Sequence, residues 1–250
     1  MKYEEDMEVL KDSLELAREE GDRTAEAVAL CGIGQIYLKE KVWDAAEEYL
    51  LEAEPILRET DDGSTLAAVL IELGGLDQRQ DRLESAAARY TEAKGIYQSR
   101  SDNPGRVKSL DRLAQVQVAA GDTRSALSGY EEALTVCREH DDEIGSIYFL
   151  EQIIPLKRLE GPTKDLEARY RDLITLAEGQ KDRERMALHL VGLAELYRLR
   201  EEPKEAIPYL VMAHDIYSGL RRTKEAALIR QELARLGGPT RAEDLTGESG

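Results

Sequence analysis

The sequence predicts an all-α fold, a curved solenoid of antiparallel helix hairpins. Two observations carry this: the chain repeats itself with a step of forty residues, and the apolar residues between its polar loops fall at helical spacing. Composition agrees, since 42% of the 250 residues are hydrophobic, enough to bury a core. No apolar run approaches the ~18 residues of a membrane span.

Asp22, Asp62, Asp102, Asp142 and Asp182 recur at steps of forty in the polar stretches GDRT, DDGST, SDNPG, DDEIG and KDRER. A carboxylate there can accept hydrogen bonds from the free N–H groups of a following helical turn, so each loop reads as a helix start. The breaks AAGDT, LEGPT and REEP, with Gly121, Gly161 and Pro203, read as turns between paired helices.

Taken in order, residues 3–25 form a half unit whose stretch 3–20 reads as a lone second helix. In unit 26–65 the first helix carries Leu30, Ile33, Gly34 and Tyr37, and the second Ala46, Leu50 and Ala53. Unit 66–105 supplies Leu70, Leu73, Gly74 and Asp77, then Ala86, Tyr90 and Ala93. Unit 106–145 supplies Leu110, Leu113, Ala114 and Gln117, then Ala126, Tyr130 and Ala133. Unit 146–185 is irregular, with Ile154, Leu166 and Leu173 where small residues are usual. Its Pro155 removes a helical hydrogen bond, so a kink or break near 150–155 is expected, as a local change of curvature rather than a hinge. Unit 186–225 returns to pattern with Leu190, Leu193, Ala194 and Tyr197, then Ala206, Leu210 and Ala213. Residues 226–236 read as a lone first helix and 237–250 as a flexible tail. Pro55 and Pro208 read as kinks or first-turn positions, and Trp43 as a turn residue lying over helix ends. Half units at both ends leave open whether the chain is complete or a segment of a longer protein.

The leucine, small residue and tyrosine of the first helices, with the small–aromatic–small triplet of the second, resemble the tetratricopeptide repeat family over residues 1–236, in a 40-residue variety. The resemblance implies a right-handed superhelix, in which small residues let paired helices approach and a Tyr or Leu fills the space left. Contacts then run mainly between neighbouring units, and the first helices line a concave face. The ladder Tyr90, Tyr130 and Tyr170 falls at the family's packing position and is assigned to the core.

Helical phase carried round that face exposes Gln35, Lys39, Ile71, Gln78, Arg79, Lys108, Asp111, Gln115, Tyr148, Glu151, Arg158, Glu195 and Arg198 as partner-binding candidates. Lys39, Arg79, Arg158 and Arg198 form a broken basic row, which helix C-termini also favour. Tyr148, early on its helix, is the candidate anchor. The Lys and Asn with which some family members clamp a chaperone's terminal carboxylate are replaced by Cys31, Gln35 and Gly75, so that role is excluded.

No catalytic constellation is present. His140, His189 and His214 lie in different units, Cys31 and Cys137 are 106 residues apart, and no metal-ligand spacing occurs. No cofactor, metal or catalytic residue is therefore assigned. The 34 basic and 51 acidic residues leave −17, of which −12 lies in residues 1–64. This acidity disfavours nucleic acid and anionic membranes as partners, and makes the N-terminal quarter either a solvated surface or a steering field for a basic protein. Two cysteines and no signal-like start place the chain in the cytoplasm. The expected function is a non-enzymatic scaffold that holds a peptide or helix of another protein on its concave face, with self-association left open. The alternative is a ligand- or peptide-gated sensor segment that controls an effector.

Overall fold

A computed structural model describes residues 3–239. Among the described residues it is all α-helical, with twelve helices and no strand. The contacts divide the chain into two compact units, Met1–Val136 and Cys137–Gly250. The first holds α1 (Glu4–Glu20), α2 (Arg23–Lys39), α3 (Trp43–Glu59), α4 (Gly63–Arg79), α5 (Leu83–Ser99), α6 (Asn103–Ala119) and most of α7 (Thr123–Glu139). The second holds α8 (Glu143–Arg158), α9 (Lys164–Gly179), α10 (Arg183–Leu199), α11 (Pro203–Gly219) and α12 (Thr223–Arg235). No described helix is long and apolar enough to cross a membrane.

Short-range chemistry sets the helix ends. Asp22, Asp62, Asp102, Asp142 and Asp182 each accept a hydrogen bond from the backbone N–H three residues on, at 2.9–3.1 Å, and so cap α2, α4, α6, α8 and α10. These helices begin three residues ahead of the unit boundaries read from the apolar pattern, because the cap rather than the apolar face sets the start. The starts at 23, 63, 103, 143, 183 and 223 are consistent with a forty-residue period.

The turns are equally regular. From Gly21 to Arg221 every twentieth residue has positive φ, and eight of these positions, among them Lys41, Asp81, Lys181 and Glu201, are not glycine. At most of these turns the next residue's N–H returns to the carbonyl five back, as Val42 does to Tyr37 and Asp182 to Ala177, both at 2.9 Å.

Packing follows the small–large rule. An added Cβ on Gly34 would stand 2.8 Å from Leu50 Cδ2, and on Gly74 2.7 Å from Tyr90 Cε1, so the glycines are required by the close approach of α2 to α3 and α4 to α5. Tyr90, Tyr130 and Tyr170 are buried, as expected of packing residues. Asp77 occupies the position of Tyr37 and is also buried. It accepts from Arg82 Nε at 2.7 Å and Ser85 Oγ at 2.6 Å and pairs with Arg89 Nε at 2.9 Å.

Two expectations are corrected. Helix α8 runs without a break through Pro155 to Arg158, since the missing N–H forfeits only one bond within an otherwise packed helix. The irregularity falls instead in the α8–α9 turn, where Pro162 has no N–H to return and Thr163 Oγ1 caps α9. Pro55 lies inside the second helix α3 and Pro208 is near the start of α11, both as read from the sequence. Trp43 is not a turn residue; it is the first residue of α3, half-buried against the core. Gly237 and Gly238 close α12, with Gly238 N–H donating to Leu233 O at 2.9 Å, and the expected tail from residue 240 onward lies outside the described residues.

Candidate functional site

In the first unit, α4 and α6 bring part of the candidate set together. Ile71, Gln78, Arg79 and Lys108 line one cleft of about 460 Å³, with Trp43 at one side. Ile71 was expected to be exposed and is 4% exposed, because the edge of α4 that carries it turns into the cleft wall. The Arg79 guanidinium lies 3.8 Å from the centre of the Trp43 ring, a cation–π contact. Lys108 pairs with Glu72 at 3.8 Å.

The other candidates of this unit stand apart. Gln35 is exposed on α2 outside the cleft lining, and Lys39 lies 5.5 Å above the Tyr3 ring. Asp111 accepts from Gln115 Nε2 at 2.9 Å along α6, so these two satisfy each other. The cleft also takes in Gly75, Tyr90 and Arg112, none of which sequence reasoning selected. Only the Gly74–Gly75 pair signalled an opening in the side-chain cover of α4.

In the second unit Glu151, Arg158 and Glu195 line a cleft of about 400 Å³ between α8 and α10. Arg158 Nη2 donates to Glu195 at 3.0 Å, and its Nη1 lies 3.4 Å from Tyr170 Oη. Glu151 accepts from Arg185 Nε at 3.0 Å and lies 3.3 Å from His189 Nε2. Burial pulls the His189 pKa below its ordinary value, with Glu151 opposing that, so the ring is neutral at neutral pH. His189, Arg185 and Tyr170 were missed because their partners lie 12 to 38 residues away. Glu195 and Arg198 also line a second cleft, of about 350 Å³, with Arg235 of α12.

Tyr148 lies outside both linings, edge-on to Phe149 at 5.0 Å, and is 38% exposed. Forty and eighty residues on, at the same register of α10 and α12, Leu188 and Leu228 are 57% and 65% exposed. The three recur at one register of successive first helices, a step of forty residues apart.

Among the described residues no group of three or more His, Cys, Asp or Glu could hold a metal ion. Burial pushes the Cys31 and Cys137 thiols up to about 11, which keeps both protonated and unreactive at neutral pH.

A stack of capped helix hairpins whose first helices carry open clefts is the architecture of a helical repeat protein. Residues 65–139 match the tetratricopeptide repeat family, and the fold of the chain is of the tetratricopeptide repeat type. No curated protein matches the chain in sequence. Among solved structures it is similar to BtubC (BKLC) from P. vanneervenii, with a TM-score of 0.61, 18% identity and coverage of 88% of this chain and 93% of that one. A putative kinesin light chain with nearly identical TPR-like repeats from Podosopora anserina gives 0.58, 15%, 78% and 96%. The apo form of the quorum sensor NprR from B. thuringiensis gives 0.54, 17%, 97% and 68%. At these identities the likeness is one of fold.

Proposed function

We propose that the chain is a non-catalytic interaction scaffold that holds a segment of another protein along the faces of its first helices. The observation that carries this reading is the recurrence of Tyr148, Leu188 and Leu228, three large apolar side chains left exposed at one register of α8, α10 and α12. Apolar anchors supply most of the affinity of such a face, and flanking charges such as Arg198 orient the bound segment. The fold type supports the reading, since tetratricopeptide arrays generally bind proteins; this is an argument by analogy. The reading takes residues 1–236 as one array in the cytoplasm. Its partner is a protein or peptide rather than nucleic acid or membrane, because a net charge of −17 opposes phosphate surfaces. Self-association through the same residues is a variant of this reading.

The test uses the whole protein as bait in host extract. A partner retained by the wild type should be lost by the double variant Leu188→Ser, Leu228→Ser, and Tyr148→Ala should weaken it by about 1–3 kcal/mol. The melting temperature should hold, because these side chains lie outside the hairpin core. Retention of the same partner by the double variant sinks the reading.

A second reading, a sensor segment that controls an effector, draws on the clefts of several hundred Å³ and on the fold shared with a quorum sensor. It requires a ligand that alters the solution scattering profile of the protein.

A further inference from the structure

The cleft of the first unit has a polar atom at its floor that the core does not use. The Tyr90 side chain is wholly buried, and its Oη has no hydrogen-bond partner. A buried hydroxyl without a partner is destabilising compared with a plain phenyl ring, so packing alone does not account for it. The oxygen faces the gap at Gly75, where an added Cβ would stand 3.7 Å away. At the same register α2, α6, α8 and α10 carry Gln35, Gln115, Pro155 and Glu195, whereas α4 places no side chain over the ring end.

The charge around this gap is opposite to that of the chain. Arg79, Lys108 and Arg112 face one carboxylate, Glu72, in a protein of net charge −17. Lys108 is engaged with Glu72 and Arg79 with Trp43, whereas the Arg112 guanidinium has neither a hydrogen bond nor an ion pair among the described residues. Its charge acts on the Tyr90 hydroxyl, opposed by those of Glu72 and Asp77. Burial nonetheless pushes that hydroxyl up to about 12, so at neutral pH it is a donor.

We propose that this cleft binds a carboxylate on an aliphatic stem, with Tyr90 Oη and the Arg112 guanidinium donating to its oxygens and Ile71 and Trp43 flanking the stem. A phenol and a guanidinium suit the acceptor-only oxygens of a carboxylate, and the charged bond is the stronger of the two. These donors differ from a chaperone-tail clamp, whose Lys and Asn places are held by Cys31, Gln35 and Gly75. The inference rests on the peptide-binding reading for the kind of occupant: the C-terminus of a peptide, or an acidic side chain beside an aliphatic one.

Trp43 is the sole tryptophan and lines the cleft, so its fluorescence reports occupancy. The probes, each titrated to millimolar concentration, are acetyl-Ala-Ala-Leu as the free acid, the same peptide as its amide, and acetyl-Ala-Leu-Glu as its amide. One of the two acidic probes should bind saturably and at least about tenfold more tightly than the neutral amide. Which acid binds better separates a chain terminus from a side chain. Tyr90→Phe should weaken the acid about tenfold while the melting temperature holds or rises, since the unpartnered hydroxyl is gone. Gly75→Gln, which covers the gap from the cleft side, should block the acid without touching the core, and Arg112→Gln should weaken it. Equal binding of acid and neutral amide, no binding of any probe, or unchanged affinity in both Tyr90→Phe and Gly75→Gln overturns the inference. The scaffold reading is judged separately, on Leu188 and Leu228 in the second unit.

Discussion

The guanidinium of Arg79, in the last turn of α4, lies 3.8 Å from the centre of the Trp43 ring at the first position of α3. This contact ties the far end of one helix to the start of its predecessor and holds the indole against the cleft. Removing the cation in Arg79→Ala should cost about 0.5–1 kcal/mol. The Trp43 emission should shift to the red as the ring becomes more hydrated. An unshifted spectrum would show that the indole is held by the core alone.

Asp77 is a carboxylate 2% exposed, held by Arg82, Arg89 and Ser85. Asp77→Ala leaves Arg89, 21% exposed, and the more exposed Arg82 without their shared carboxylate and should destabilise the first unit by about 1–3 kcal/mol. Asp77→Asn keeps the shape but not the charge and should lie between. Chemical denaturation of the three proteins measures this; a loss below about 1 kcal/mol for Asp77→Ala would mean that water replaces the carboxylate.

Lys41 and Lys181 hold φ of 61° and 57°, the left-handed region in which a Cβ is crowded. Lys41→Gly and Lys181→Gly should each stabilise by about 0.5–1 kcal/mol, because glycine adopts this conformation without that crowding. The gains should add, since the two turns lie in different units. Thermal melts that fall in either variant would show that the lysine side chains contribute more than the backbone strain removes.

Glu167 accepts from Arg200, from Tyr197 Oη at 2.7 Å and from Arg171 at 3.1 Å. The Arg200 bond, followed by that of Tyr197, lowers its pKa from 4.5 to about 2. A depressed folded pKa gives stability that is complete above the unfolded value and lost as pH falls from about 5 toward 2. The contribution is about 2–3 kcal/mol at neutral pH, the side chain being 20% exposed. Glu167→Gln should therefore be less stable at pH 7, and the difference from wild type should shrink as the pH drops. Stability curves that stay parallel between pH 6 and 3 would contradict this.

Features written within a few residues of one another could be read from the chain alone. Asp62 and Asp182 announce helix starts because a cap bond spans three residues, and Gly74 with Tyr90 announces a close hairpin because helical spacing repeats locally. Helical phase likewise placed Arg79 and Lys108 on the same side of the first helices, and both line one cleft. Packing across helices decided the rest. Whether Tyr90 Oη finds a partner, whether Asp77 is neutralised and whether Glu151 meets Arg185 depend on residues up to 34 positions away or on different helices. Ile71 shows the same limit: periodicity gave its side of the helix, while neighbouring side chains determined that it is buried. Pro155 shows it for the backbone, since the loss of one hydrogen bond is a local fact but the continuity of α8 reflects the packing of Ile153 and Ile154, just before it, in the core.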